Sequence, residues 1–323
     1  MKTLNLTEAI EFNQALQEQL LSDDPSEVKN ASEGLSDFTR RKVREGGISR
    51  ALVTYHSVNY SDLDRQYHTD TPMLVMDFAP DARVAVSVGY GALPPNRFFK
   101  GERYPVRFDR LVTRRMTFDV GLLGTWKMDA RQVISDILVK TLLAEEDGKF
   151  IATVNSILGG PDQVVEGTGV EQWVTTGLPL DRTGWVQGKA LLRRTPNHLN
   201  TAAVLMNTVT ALELEKWGRD MTGGDLSEEV LRNGFTMKRF GDVNLALTIK
   251  RNLVPDGAVY HFAEQKFMGT WAELEPTTMV IKRDWVLLEY FAAECIGGTF
   301  ANVASCGRID YGGVIGSDTP LLT

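Results

Sequence analysis

The spacing of apolar positions changes several times along the chain. Between Thr71 and Leu123 the period is two, which predicts strands. Val84, Val86, Val88 and Tyr90 alternate with small residues. Tyr104, Val106 and Phe108 alternate with Pro105, Arg107 and Asp109, and Met116, Phe118 and Val120 with Thr117 and Asp119. The turn-rich stretch from Gly91 to Gly101 separates the first two runs, so the pattern predicts a long two-stranded ribbon. From Asp129 to Leu158 the spacing is helical. Val133/Ile134, Ile137/Leu138 and Thr141/Leu142 form one stripe, and Phe150/Ile151, Val154 and Ile157/Leu158 a second. Asp129 with Gln132 is placed to cap this helix, Gly159-Gly160-Pro161 stops it, and Glu145-Glu146-Asp147-Gly148 is a place for a bend or a shift of stripe.

Beyond it, residues 161–194 give a mixed pattern with two tryptophans, Trp173 and Trp185. Thr195-Pro196 predicts the start of a second helix, with Leu199, Ala202/Ala203, Met206, Val209 and Leu212 on its face. A third, short helix follows Asp225 and ends at Gly234. Val243 to Ile249 alternates as a strand, Pro255-Asp256-Gly257 is a turn, and Ala258 to Phe262 is a strand. Thr277 to Arg283, Trp285 to Ala293 and Ala301 to Ile309 complete the strands. The first 50 residues have the character of an arm. A short amphipathic helix fits Thr7 to Leu21, Ser22-Asp23-Asp24-Pro25 breaks it, and Arg40-Arg41-Lys42-Val43-Arg44 is a basic run.

Charge sharpens this layout. The 323 residues carry 42 acids and 35 bases, a net −7, which does not suit general attraction to nucleic-acid phosphates. The distribution is uneven. Residues 1–30 hold six acids against two lysines, a local −4, and residues 97–115 hold seven bases against two acids, a local +5. Ala211 to Glu229 holds six acids against two bases, again −4. The longest apolar run is five residues, Ala202 to Met206, too short to span a bilayer. The polar, acidic N-terminus is not a signal peptide, and two cysteines, Cys295 and Cys306, exclude a disulfide framework and a four-cysteine zinc site. This composition is that of a cytosolic chain.

A search for chemistry leaves little. There is no nucleophile elbow and no paired-histidine zinc motif. The Gly-Lys at Gly188-Lys189 has the wrong spacing for a phosphate loop, and Gly89-Tyr90-Gly91 lacks the third glycine of a dinucleotide site. His56 and His68 flank Asp62, Asp64 and Asp70 without a matched ligand spacing, so no metal is assigned. Cys295 and Cys306 read as small buried hydrophobes, and Trp285, Tyr290 and Phe291 as core. Lys100 and Asn302 are the right types for an isopeptide bond if a carboxylate takes the proton, but nothing in the sequence joins them, and a solvated loop lysine is the simpler reading. No catalytic residue and no cofactor is assigned.

The serial order is polar arm, long β-ribbon, long helix, mixed region, strand-turn-strand, and closing aromatic strands. It resembles the major capsid protein of tailed bacteriophages, the Hong Kong ninety-seven-type shell fold shared with encapsulins. The local matches are Leu253-Val-Pro-Asp-Gly-Ala-Val-Tyr260, Phe267-Met-Gly269, and Trp285 to Ile309 with Cys295-Ile-Gly-Gly and Ala301-Asn302. The resemblance implies an α+β fold. It has an N-terminal arm at 1–50, a lead into the peripheral domain at 51–75 and an extended loop at 76–125. The peripheral domain at 126–175 holds the spine helix at 129–158. An axial domain follows at 176–268, with a return to the peripheral domain at 269–323. It further implies a structural protein, not an enzyme, that forms hexamers and pentamers of an icosahedral shell around double-stranded DNA. That shell would assemble in the host cytoplasm, reside in the virion, and work with portal, scaffolding and decoration proteins, without a membrane.

A two-stranded ribbon is marginal alone in water and gains by lying on a neighbour. The expected contact residues are Arg97, Phe98, Phe99, Lys100, Arg103, Arg107, Arg110 and Arg114. Their expected acidic partners are Glu213, Glu215, Asp220 and Glu228, or the N-terminal arm. Crosslinking members of the family use a lysine, an asparagine and a glutamate; Lys100 and Asn302 match by type, and no glutamate is placed. The competing readings are an encapsulin-like compartment with enzyme cargo, a metal-dependent α/β enzyme using His56 and His68, and a tail or baseplate component.

Overall fold

The computed structural model describes residue 26 and residues 47–66, 69–78, 87–93, 102–119, 130–215, 239–240, 242–284 and 287–312. Four α-helices, α1 Ile48–Leu52, α2 Ala130–Leu158, α3 Arg182–Leu191 and α4 Thr208–Glu215, accompany two β-sheets among these residues. The first sheet has the order β1-β11-β12-β4-β3-β2, with β5 also on β12. Its strands are β1 Tyr55–Ser57, β2 Asp64–Gln66, β3 Thr69–Phe78, β4 Glu102–Val112, β5 Met116–Asp119, β11 Gly269–Asp284 and β12 Leu287–Phe300. The second has the order β6-β13-β10-β7-β9-β8. Its strands are β6 Trp173–Thr176, β7 Ala203–Asn207, β8 Arg239–Phe240, β9 Val243–Thr248, β10 Ala258–Phe262 and β13 Cys306–Tyr311.

Helix α2 joins the two sheets, and its sequence explains how. Ile134, Leu138, Leu142, Glu146, Phe150, Val154 and Leu158 recur every fourth residue, and all seven are buried. A row spaced by four drifts around an α-helix by about 40° per step. Its two halves therefore face different ways. Ile134, Leu138 and Leu142 pack with Leu111, Met279, Leu288 and Tyr290 of the first sheet. Phe150, Val154 and Leu158 pack with Leu205, Tyr260, Phe262 and Cys306 of the second, joined by Trp271 and Phe300 from β11 and β12. The two predicted stripes are thus the two contact faces of one 29-residue spine, about 44 Å long. The far face of the second sheet is covered by α3 and α4, where Trp185, Leu191, Ala211 and Leu214 meet Val204, Met206, Val259 and Ile309.

Several expectations are corrected. The first ribbon strand is Thr69–Phe78, paired from Met73↔Arg107 to Phe78↔Glu102. Val88 and Tyr90 sit instead in an exposed turn with Gly91 at φ 84°; Val84 and Val86 lie outside the described residues. Pro72 hid β3 from a propensity reading; it is tolerated because the ladder with β4 begins only at Met73, so Pro72 is paired on one side alone, with Arg65 of β2. The helix expected from Thr195 is an irregular loop, then strand β7, then α4. A short unbroken apolar run such as Ala202 to Met206 suits a buried strand as well as a helix, and here it lies mid-sheet between β10 and β9. The expected strand from Ala301 is a 3-10 turn, Val303–Ser305, followed by β13.

Helix α3 carries little helical signal in sequence because Gly184 and Gly188 interrupt it. Both are required by packing: a Cβ at Gly184 would lie 2.8 Å from the Tyr311 ring, and one at Gly188 would lie 2.5 Å from His261 Nε2. Strands β6 and β13, placed by sequence in peripheral segments 126–175 and 269–323, both pair within the second sheet. The Asp129 cap and the helix after Asp225 fall outside the described residues, as do nearly all of residues 1–46.

Candidate assembly surface and the ionic knot beneath it

The ribbon is not a free hairpin. Residues 102–107 of β4 pair with β3, while Phe108–Val112 pair with β12 from Gly297↔Phe108 to Ala293↔Val112. Gly297 makes this possible, since a Cβ there would stand 2.6 Å from the Arg107 carbonyl oxygen. The expected two-stranded ribbon is therefore an outward extension of the first sheet, rooted by the buried Val106 and Phe108. Strand β5 pairs with β12 and does not extend it.

The basic residues divide into two groups. Arg103 pairs with Asp77 at 3.0 Å, and Arg110 holds both oxygens of Glu275 at 2.8 Å. These charges are balanced within the chain. Arg107 and Arg114 are exposed and have no ion pair among the described residues. They line two clefts between β4 and the spine, of about 230 Å³ and about 430 Å³, which share Lys149. Lys149 itself pairs with Asp109 at 2.9 Å. Arg97, Phe98, Phe99 and Lys100 lie outside the described residues.

Of the expected acidic partners, Glu213 is overturned as a landing residue: it lies on α4 and is buried, 4% exposed. It lies about 200° around α4 from Ala211, off the face that Ala211 and Leu214 turn to the core, so its burial was not readable from helical spacing. Glu215 ends α4, and its side chain, like Asp220 and Glu228, lies outside the description. Asn302 caps the 3-10 turn, its Oδ1 accepting from Ala304 N and Asn197 Nδ2, each at 3.0 Å. His56 is exposed on β1, Asp62 caps a turn with Asn59, and His68 is undescribed. No group of ligands suited to a metal ion occurs among the described residues. Cys295 and Cys306 are buried, free and in separate clusters, and burial pushes the Cys306 thiol up to about 12.

Behind the clefts lies a buried ionic knot that the sequence reading missed. Arg50 of α1 donates from Nε to Glu146 Oε1 at 3.0 Å and Oε2 at 3.2 Å. Its Nη1 lies 3.5 Å from Glu273 of β11, and its Nη2 3.6 Å from Glu294 of β12. Ser49 donates from its backbone N to Asp147 and from Oγ to Glu146. Lys250 donates to the other Asp147 oxygen at 2.6 Å. The Tyr55 ring lies 4.8 Å from the guanidinium carbon. Burial, with the neighbouring Glu146 charge, pushes the Glu294 carboxyl up to about 7. Burial also raises Glu146, against the pull of Arg50. A signal was present: Glu146 interrupts the every-fourth apolar row of the spine, and Glu294 interrupts the row Leu288, Tyr290, Ala292, Ile296 of β12. A charge at a core position of two packed elements marks a buried polar site.

No family model matches the chain, and no curated protein matches it. Solved structures do. The asymmetric unit of the bacteriophage PhiM1 mature capsid aligns with TM-score 0.56 at 10% identity, over 85% of this chain and 88% of that one. The capsid of a native GTA particle aligns with TM-score 0.54 at 15% identity, over 82% and 89%. The chain has the tailed-phage capsid fold. A virus-like particle from Pyrococcus furiosus shares it, with TM-score 0.51 at 12% identity, over 86% and 98%. The spine, the two sheets and the rooted ribbon are therefore the α+β, Hong Kong ninety-seven-type arrangement.

Proposed function

We propose that this chain is the major shell subunit of an icosahedral capsid that encloses double-stranded DNA, and that it acts as a structural protein without catalysis. The observation that carries the reading is the match over more than four fifths of both chains to capsid proteins of the same fold. In this reading the first sheet with α2 is the peripheral domain and most of the second sheet is the axial domain. The β3–β4 extension, with the tip that includes Arg97, Phe98, Phe99 and Lys100, crosses onto a neighbouring copy.

Charge gives that contact its register more than its strength. Among the described residues Arg107 and Arg114 are the ribbon bases left to meet a partner, since Arg103 and Arg110 are satisfied at home. With Glu213 buried, the acidic side falls to residues 215–229, five acids against two bases, or to residues 1–30, six against two. The larger imbalance favours the first 30 residues of the N-terminal arm. Repeating one heterologous contact around an axis closes rings, here hexamers and pentamers. Portal, scaffolding and decoration proteins would complete the particle.

Purified full-length chain examined by negative-stain electron microscopy and ultraviolet absorbance tests this. Closed shells containing nucleic acid support it; monomers or open tubes overturn it. The Pyrococcus furiosus particle supports a second reading, an encapsulin-like compartment, and shells holding a protein cargo in place of nucleic acid would establish it. Mass spectrometry of denatured shells tests the Lys100–Asn302 bond: a linked peptide supports it, and only free chains refute it.

A further inference from the structure

We propose that Glu294 holds a proton in the folded chain at neutral pH, and that this proton fastens α1, and the chain entering from the N-terminus, to the middle of the spine. The inference stands apart from the shell reading and begins with a count. The knot contains four carboxyls, Glu146, Asp147, Glu273 and Glu294, and two cations, Arg50 and Lys250. Asp147 takes Lys250, and Glu146 takes Arg50 Nε. Glu273 takes Nη1 and keeps some contact with solvent, 13% of its side chain being exposed. Glu294 shares the same guanidinium, at slightly longer range, and has no solvent contact at all. Its side chain is 0% exposed, it stands 3.6 Å from Nη2, and its Oε1 has no hydrogen-bond partner. Arg50 Nη2 also lacks a hydrogen bond. Among the described residues only Thr277 Oγ1 donates to Glu294, at 2.8 Å on Oε2.

A dry carboxylate with one neutral donor, and a single cation at 3.6 Å already shared with two other carboxylates, is strongly disfavoured. Binding a proton at Oε1 removes the surplus charge and leaves the Thr277 bond in place. The groups facing the site set the same direction. Arg50 and Tyr55 approach from α1 and β1, Glu146 and Asp147 from α2, Glu273 from β11 and Lys250 from the loop after β9. Lys149 and Asp109 stand across the cleft, paired to each other. Losing the proton adds one negative charge beside Glu146 and Glu273, with Arg50 alone to answer three carboxylates. Spine, β11 and β12 are held by their cores and ladders. Helix α1 has five residues, and Ser49 and Arg50 make its polar ties to the spine, beside the packing of Ile48, Leu52 and the adjoining Val53. It is the element that yields. Glu146 and Tyr55 line the cleft of about 230 Å³, which gives the proton a route.

Two readouts on the full-length chain test this. Infrared difference spectra should show a protonated carboxylic-acid band that titrates near pH 7, is absent in Glu294→Gln, and shifts in frequency in Thr277→Val. Hydrogen exchange, corrected for the intrinsic pH dependence of amides, should show protection at Ser49, Ala51 and Val53 falling about tenfold or more between roughly pH 6 and pH 8.5. Glu294→Gln should hold the acid-side protection throughout. A band that survives in Glu294→Gln, no band above about pH 5, or protection independent of pH overturns the inference. If Glu294→Gln does not fold, the Thr277→Val band shift decides: no shift overturns it.

Discussion

Replacing Arg50 with methionine tests how the spine is held at its centre. Methionine keeps most of the buried stem and removes the guanidinium. Three carboxylates, Glu146 at 3.0 Å, Glu273 at 3.5 Å and Glu294 at 3.6 Å, then face one another without a cation between them. Breaking a buried ion pair from one side costs about 3–5 kcal/mol, because the stranded charge is worse than the lost attraction. Part of that cost is recoverable with protons. Glu294 and Glu146 are already raised by burial, and without Arg50 both rise further, each unit relieving about 1.4 kcal/mol. The expected loss is therefore about 4 kcal/mol near pH 8 and no more than about half of that near pH 5. Urea unfolding of the full-length subunit, followed by tryptophan fluorescence at both pH values, measures it. A loss below about 1 kcal/mol near pH 8, or an equal loss at both, would refute the reasoning.

The other expectations concern packing, protonation and assembly. His261 is fully buried with neither ring nitrogen bonded, and burial pulls it down to about 3. Its unfolded form takes up protons below about pH 6.5, so its neutral burial costs stability as pH falls from there toward 3, about 2 kcal/mol at pH 5. His261→Leu should flatten the stability profile over that window relative to the parent, and an unchanged slope in denaturant titrations would sink the point. Gly298→Ala places a Cβ 2.3 Å from Trp271 Nε1 and should cost about 1–3 kcal/mol, whereas Gly148→Ala meets nothing closer than 3.8 Å and should gain about 0.5–1 kcal/mol as a mid-helix glycine replaced. Thermal melts showing the reverse order would contradict the described packing. Arg107→Glu with Arg114→Glu should abolish shells in electron micrographs while circular dichroism stays native; normal shells would exclude these two arginines from the contact.

What the sequence made legible follows the strength of local periodicity. The spine was readable because each half carries its own row, Ile134 to Leu142 and Phe150 to Leu158, although nothing local said that the rows face different sheets. Strand β10 was readable from Ala258 to Phe262 because a Pro-Asp-Gly turn precedes it. Strand β7 was not, since an unbroken apolar run has no period and only its neighbours β9 and β10 make it a strand. Helix α3 was lost behind two glycines whose purpose lies in Tyr311 and His261, far away in sequence. For the assembly surface, the basic run was visible, but its internal neutralisation by Asp77 and Glu275 was not, because those pairings cross the sheet. The knot assembles from five separate segments, so its only local trace is a glutamate in each of two apolar rows.

The central claim is that copies of this chain build a closed shell by laying β3–β4 on one another. A cryo-electron microscopy map of the assembled particle measures it directly. The account requires the outer part of that ribbon, beyond its root at Val106 to Phe108, to rest against density of an adjacent subunit within rings of six and five. A particle in which each ribbon contacts only its own chain, or a purified protein that forms no closed particle, would contradict it.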